Sequence, residues 1–106
     1  MTPKEKAIYT AKSNVLKALA HPTRLWMTEK LADGELCVCE FFNSIDADFS
    51  TVSKHLSVLK QAGIVEDDKR GKQVFYRLKC TCVLDFMTCI NDIVREQARA
   101  QAALLD

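Results

Sequence analysis

Residues 49–78 constrain the fold of this chain more than any other stretch, because a helical pattern is followed directly by a hairpin pattern. The first half carries an apolar stripe at helical spacing, formed by Phe49, Val52, Leu56 and Leu59. Such a stripe predicts one face of an amphipathic helix. Gly63 follows as a residue able to adopt positive φ, which is typical of a helix end.

The second half of the stretch predicts a β-hairpin. A strand is expected to start at Ile64–Val65, a turn to cover residues 67–72, and a β-rich run to return over 73–78. A helix with a polar face, followed by a hairpin with a basic tip, is the winged helix-turn-helix pattern. The sequence therefore predicts a mainly α-helical fold with a small β-hairpin, and a surface that holds duplex DNA.

Two groups of side chains are candidates for contacting that DNA. The candidates at the start of the helix would contact base edges or phosphates. They are Ser50, Thr51, Ser53, Lys54 and His55. The candidates on the hairpin would contact the DNA backbone or an adjacent minor groove. They are Lys69, Arg70 and Lys72. Residues 50–79 hold seven Lys or Arg against three acids, although the net charge of the chain is only +1. Charge alone does not discriminate, because any solvated surface is charged.

The remaining patterns complete a single predicted domain spanning residues 1–106. Helices are expected over residues 4–20, 22–32, 35–42 and 82–105, which gives the element order α-α-α-α-β-β-α. The last helix has an apolar stripe wider than a small domain can cover. Together with the first helix it predicts a homodimer interface.

The chain contains five cysteines, which limit the kinds of chemistry that it can carry out. No apolar run is long enough to span a bilayer and no export signal is evident, so a cytoplasmic protein with no membrane partner is expected. Its thiols should be reduced and suited to metal binding or redox chemistry. A thiol reductase is disfavoured, because the spacing is C-x-C rather than C-x-x-C and no Gly-rich cofactor loop is present. The sequence predicts a binding protein that is not an enzyme and has no protein substrate.

Four motifs closely resemble the ArsR/SmtB family of winged-helix repressors. They are LAHPTRL at residues 19–25, ELCVCE at 35–40, TVSKHLSVLKQAGIV at 51–65 and VFYRL at 74–78. The resemblance implies a homodimer that binds operator DNA and leaves it when a metal, metalloid or other inducer binds. In this family the histidine at position 55 can also relay between the sensor and the DNA surface. The ELCVCE box is similar to that of the arsenic- and cadmium-responsive branch.

Within that resemblance, Cys37 and Cys39 are the first candidate ligands. Thiolates favour soft ions, so As(III) or Sb(III) is the expected inducer, with Cd(II), Pb(II) and Zn(II) as further candidates. Residues i and i+2 of a regular helix point about 200° apart, so we expect ion binding to unwind the short helix. The arsenite sensors of the family have a third cysteine where this chain has Phe42, and no cysteine precedes Cys37. The third ligand is therefore an exogenous thiol or hydroxide, or a donor from elsewhere in the chain.

A second candidate site consists of Cys80, Cys82 and Cys89. The zinc-sensing branch has D-x-H at positions 80–82 and H-x-x-E where this chain has Ile93 and Glu96, so thiolates replace half of that pattern and the rest is lost. Cys82 and Cys89 are expected to share a helix face, which allows a three-sulfur metal site. It also allows a thiol-redox or persulfide-sensing repressor on the same scaffold. A purely structural alternative is that Cys89 is a small buried apolar residue.

Overall fold

Five α-helices, one 3-10 turn (Leu31–Asp33) and three short strands form the fold in the computed structural model, which describes residues 1–105. Asp106, the last residue of the predicted domain, lies outside the described residues. The helices are α1 (Pro3–Leu19), α2 (Pro22–Lys30), α3 (Val38–Ser44), α4 (Phe49–Gln61) and α5 (Val83–Leu104). The strands are β1 (Leu36–Cys37), β2 (Val65–Arg70) and β3 (Gln73–Leu78).

Local sequence signals set the helix ends close to the predicted positions. Thr2 and Glu5 form a capping box at the start of α1. Asp48 is the N-cap of α4, and its carboxylate accepts the Thr51 N–H at 2.8 Å. Gly63 has φ of 81°, which ends α4 as its position in the sequence predicts.

The predicted helix over residues 35–42 is wrong in its first part. Leu36 pairs with Tyr76 of β3, so this segment begins as strand β1, and Cys37 has extended backbone with φ −69° and ψ 146°. Pairing with β3 satisfies the backbone groups of this segment, and the helix begins only at Val38. The sheet is therefore three-stranded and antiparallel in the order β1-β3-β2, rather than a simple hairpin.

The wing, defined as β2, β3 and the turn between them, is longer than predicted. Pairing continues to Arg70 opposite Gln73, and the turn is the two residues Gly71–Lys72 with φ of 63° at Gly71. The expected turn over 67–72 is thus mostly strand. Two ion pairs accommodate the charged side chains there, Lys60 with Asp67 at 3.0 Å and Arg70 with Asp68 at 3.0 Å.

α4 supplies the centre of the core. Val52, Leu56 and Leu59 are fully buried, and they belong to one cluster with Met27 of α2 and Phe41 of α3. Burial of each such side chain contributes about 1.5–3 kcal/mol. α3 and α4 are thus held in one packed unit.

Phe49 does not join this buried stripe, contrary to the prediction. Its side chain is 57% exposed, because it is the first residue of α4, one turn before Val52. Helical side chains lean toward the N-terminus, so Phe49 lies over the connection between α3 and α4. There it packs edge-on against Phe42, with ring centroids 6.0 Å apart.

α1 and α5 leave many apolar side chains uncovered. The exposed residues include Ile8, Tyr9, Val15, Leu16, Phe86, Ile93 and Val94. Met87 is the one residue of α5 in the buried core cluster among those the structure describes. The radius of gyration is 16.6 Å, compared with about 13 Å for a compact chain of this length. Over residues 1–105, no helix has the length and hydropathy needed to cross a membrane.

Candidate nucleic-acid interface and thiol sites

The first two turns of α4 carry the predicted DNA-contacting residues of this helix. The structure exposes Ser50, Thr51 and Lys54 and half-buries Ser53 and His55. The Ser50 hydroxyl donates to Asp48 Oδ1 at 3.0 Å, beside the Thr51 N–H that donates to the same atom. Hydrogen bonds from Thr51 and Ser50 lower the pKa of Asp48. In this arrangement Ser50 has only its oxygen lone pairs to offer DNA.

His55 is turned toward α2. Its ring centroid lies 4.5 Å from that of His21, and its Nδ1 lies 3.2 Å from Nη1 of Arg24. Burial, followed by the charges of His21, Arg24 and Lys54, lowers the pKa of His55. Through these contacts, His55 holds α4 against the start of α2.

The wing residues divide into two kinds. The Arg70 guanidinium forms a bidentate pair with Glu35, at 2.6 and 2.9 Å, and its Nε donates to Asp68 at 3.0 Å. The same guanidinium lies 4.6 Å from the centroid of the Phe75 ring. Lys69 and Lys72 are exposed and form no ion pair within residues 1–105. Arg70 is therefore tied to the segment before β1.

The Cys37 and Cys39 sulfurs are already adjacent. Their Sγ atoms are 2.6 Å apart, beyond the roughly 2.05 Å of a disulfide, and both thiols are free. Cys37 Sγ also accepts the Cys39 N–H at 3.3 Å, and the Cys37 N–H donates to Glu40 Oε2 at 2.7 Å. The pair therefore belongs to the N-terminal cap of α3, with Cys37 buried and Cys39 exposed.

This geometry corrects the expectation that an ion must unwind a helix to reach both thiolates. Cys37 is an extended N-cap residue rather than a helical one, so the rule for helical i and i+2 positions does not apply to it. Hydrogen bonding with Cys37, reinforced by burial and by the charge of Glu40, raises the pKa of Cys39. An ion that binds this pair must first displace that proton.

Within residues 1–105 of a single chain, Cys80, Cys82 and Cys89 are not arranged as a three-sulfur metal site. A hydrogen bond between the side chains lowers the pKa of Cys80 and raises the pKa of Cys82. These two thiols line an apolar cleft of about 370 Å³ that includes Leu16 and Phe86. Cys89 is exposed on α5 in the single chain, on the helix face that also carries Phe86 and Ile93.

A third protein ligand is missing from both thiol pairs within the described part of one chain. Over residues 1–105, no group of three His, Cys, Asp or Glu side chains is arranged to hold a metal ion. The residues that sequence reasoning missed are Glu35, Glu40 and Arg24. Glu40 had a usable signal, since an acid three residues after an N-cap is typical of a capping box. The contacts of Glu35 and Arg24 are long-range, and no spacing rule identifies them.

Comparison with known proteins gives a family match over part of the chain. The model of the bacterial regulatory protein arsR family matches residues 21–67. The chain is 45% identical over 65 residues to an arsenic resistance transcriptional regulator of Pseudomonas putida, covering 60% of this chain and 51% of the relative. A biofilm growth-associated repressor of Agrobacterium fabrum is 47% identical over 64 residues, covering 60% of this chain and 55% of the relative. The match thus spans about half the length of these relatives.

Other relatives match over nearly their full length. An uncharacterized HTH-type transcriptional regulator of Methanocaldococcus jannaschii is 33% identical over 86 residues, which cover 80% of this chain and 97% of the relative. The repressor BigR from Xylella fastidiosa is 34% identical with a TM-score of 0.71, covering 88% of this chain and 96% of that one. A homodimeric winged helix-turn-helix domain from Mycobacterium bovis has a TM-score of 0.80 at 26% identity, covering 94% and 93% of the two chains. These neighbours confirm the predicted winged helix-turn-helix fold.

Proposed function

This chain belongs to the arsR family of bacterial regulatory proteins, and on that premise we propose that it is a cytoplasmic repressor released from DNA by a soft ion. It binds double-stranded operator DNA as a homodimer and dissociates when As(III) or Sb(III) binds Cys37 and Cys39. Cd(II), Pb(II) and Zn(II) are further inducers that thiolates accommodate. The family consists of regulators, so the prediction that the chain is not an enzyme is confirmed.

The position of the Cys37–Cys39 pair is the observation that carries this proposal. Cys37 ends strand β1, caps α3 through its sulfur, and pairs through its backbone with Phe75 of the wing. α3 in turn anchors Phe41 in the core beside α4. A change at the sulfur pair is therefore connected to both DNA-contacting elements, the recognition helix α4 and the wing.

Ion binding would act by removing the cap of α3. The Cys37 sulfur that accepts the Cys39 N–H would instead donate its electron pair to the ion, which leaves that N–H without its acceptor. The loss of an N-cap costs a helix about 1 kcal/mol. Because α3 has only seven residues, we expect a loss of that size to weaken its packing against α4.

The DNA-binding half of the proposal rests on exposed donors. Thr51 and Lys54 lie on the exposed side of α4, and Lys69 and Lys72 lie exposed on the wing. Cations at these places release counterions from phosphates and give salt-dependent affinity. Two copies of α4 would read half-sites about 34 Å apart, so the operator is an imperfect palindrome.

Homodimerisation is supported by the uncovered apolar faces of α1 and α5. A second copy of the chain would bury residues such as Leu16, Phe86 and Ile93, which the single chain leaves exposed. The excess radius of gyration of the single chain is consistent with an incomplete half of a two-fold assembly.

Fluorescence anisotropy tests the proposal. The probe is a labelled duplex recovered by in vitro selection with the wild-type protein. The double variant Cys37→Ser/Cys39→Ser should bind this duplex like the wild type but remain bound when arsenite is added. The matched control, Cys80→Ser/Cys82→Ser, should bind and be released normally. The opposite pattern would assign the sensor to Cys80 and Cys82.

A second candidate function, thiol-redox or persulfide sensing, has one observation in its favour. The hydrogen bond from Cys82 lowers the pKa of the exposed Cys80 thiol, which increases its thiolate fraction and its reactivity. A peroxide or polysulfide could accept two electrons and two protons as the pair forms a disulfide. The test treats metal-free protein with peroxide and measures its mass by mass spectrometry and its DNA binding by anisotropy. A mass lower by two hydrogens, together with release of DNA, would support this function.

A further inference from the structure

Phe49 stands out as an apolar side chain in a polar setting. It is the first residue of α4 and is 57% exposed, whereas Val52, one turn later, is fully buried. Its neighbours in the first turn, Ser50 and Thr51, are exposed and polar. A large exposed aromatic ring at the reading end of this helix has no role in the core.

Phe42 fixes the orientation of this ring. The two rings meet edge to face at 63° with centroids 6.0 Å apart, and Phe42 is itself 40% exposed. Neither residue belongs to the buried core cluster. An edge-to-face aromatic pair contributes about 0.5–1.5 kcal/mol beyond area burial. Phe42 therefore acts as a support that holds Phe49 in one position.

The location of the pair favours DNA as its occupant over a second protein chain. The exposed apolar faces that a partner copy would cover lie on α1 and α5, whereas this pair lies on α3 and the start of α4. In helix-turn-helix proteins, the N-terminal residues of the recognition helix meet base edges in the major groove. The apolar group that a base edge offers there is the 5-methyl group of thymine.

We propose that Phe49, supported by Phe42, is a specificity-determining residue that contacts a thymine 5-methyl group in each operator half-site. The inference rests on the proposed DNA-binding function and adds a base preference to it. Phe42 is a positioning residue, since it acts through Phe49. The exposed residues Thr51 and Lys54, in the first two turns of the same helix, would contact other polar atoms of the DNA.

Replacement of thymine by deoxyuridine tests this directly, because it removes only the methyl group and keeps base pairing. The probes are the selected duplex and the same duplex with deoxyuridine at every thymine, titrated with the full-length protein. The wild type should bind the deoxyuridine duplex about fourfold more weakly for each contacted thymine, the amount expected for one buried methyl group. Phe49→Ala should bind both duplexes with the same reduced affinity. Phe49→Leu keeps an apolar group and should retain the preference for thymine.

Lys72→Ala is the matched control. It should weaken binding to both duplexes equally, because a phosphate contact carries no base preference. Equal binding of both duplexes by the wild type would overturn the proposal while leaving DNA binding intact. A preference that persists in Phe49→Ala would also overturn it, since the methyl groups would then act through DNA shape. If the wild type selects no duplex at all, the proposed function fails together with the inference.

Discussion

Arg24 joins the second helix to the recognition helix through His55. Its Nη1 lies 3.2 Å from Nδ1 of His55, and its Nε donates to the carbonyl of Ala18 at 2.6 Å. Because arginine can only donate, Nδ1 of His55 must accept, which requires a neutral imidazole. The neighbouring His21 also accepts through Nδ1, from the Thr23 N–H at 3.1 Å. The junction between α2 and α4 is therefore joined through His55 in its neutral form.

The neutral His55 makes stability depend on pH. Burial, with the charges of His21, Arg24 and Lys54, lowers the pKa of His55 below its ordinary value of 6.5. The unfolded chain then binds this proton more readily, so the free energy of unfolding falls as pH drops below about 6.5. Urea denaturation at several pH values should show this fall in the wild type. The fall should be smaller in His55→Gln, and identical pH profiles would contradict the assignment.

Removal of the Arg24 side chain should destabilise the fold. Arg24→Ala deletes two charge-assisted hydrogen bonds at a half-buried position and should lower the free energy of unfolding by about 2 kcal/mol. DNA affinity should fall with it, because α4 loses its connection to α2. Arg95→Ala is the matched control: Arg95 pairs with Asp92 at 3.7 Å on the exposed face of α5 and should change neither quantity measurably. Equal effects of the two substitutions in urea denaturation would refute the structural role of Arg24.

Release of Arg70 from Glu35 should strengthen DNA binding. The bidentate pair raises the pKa of Arg70 and lowers that of Glu35, and it holds the guanidinium against the protein. Glu35→Ala should leave this cation paired only with Asp68, which makes it more available to a phosphate, and should steepen the slope of log affinity against log salt by up to about 0.9 per protomer. Glu29→Ala removes the same charge from an exposed position on α2 and controls for the change in net charge. If both variants gave the same slope in anisotropy titrations, pairing with Glu35 would not be what keeps Arg70 from contacting a phosphate.

Arsenic bound to this protein should have two sulfur ligands. The Cys37 and Cys39 sulfurs are adjacent, and residues 1–105 supply no third donor to complete a cluster. X-ray absorption of the arsenite-loaded protein should therefore report two As–S bonds and one lighter ligand, assigned to hydroxide. Three As–S bonds in the absence of added thiol would place a further cysteine, or one from a partner copy, in the site.

The proposed homodimer should dissociate when charge is placed on the apolar face of α5. Ile93 is 59% exposed in the single chain, and Ile93→Glu would bury a carboxylate in the proposed interface. Sedimentation should then show a monomer at concentrations where the wild type is dimeric. Asn91→Glu introduces the same charge about 200° around the helix and should leave the dimer intact. Dissociation by both variants would point to general destabilisation of α5.

The helices were predictable because their signals are local. The apolar spacing of Val52, Leu56 and Leu59 and the position of Gly63 depend on residues only a few positions apart, and the structure follows them closely. The sequence failed where a segment could satisfy its backbone in two ways. Leu36 and Cys37 fit the start of a helix, but pairing with β3 makes them a strand. No pattern within residues 35–42 contains that partner.

The residues of the candidate site were likewise predictable from the sequence, but their contacts were not. The family resemblance identified Cys37 and Cys39, and helical spacing identified the polar start of α4. They did not identify the sulfur contact within the α3 cap, the exposure of Phe49, or the pairing of Arg70 with Glu35. Each of these depends on where a helix starts or on which distant element lies beside it.

The sequence by itself determined the order of the helices, the position of the recognition helix and the presence of closely spaced thiols, because periodicity, capping residues and cysteine spacing are properties of nearby residues. Only the tertiary structure decided which charges are free and which are paired. Arg24 and His55 are 31 residues apart in the chain, and Glu35 and Arg70 are 35 apart. Contacts at such separation form only when the core fixes α2, α4 and the sheet against one another, and no local spacing encodes them.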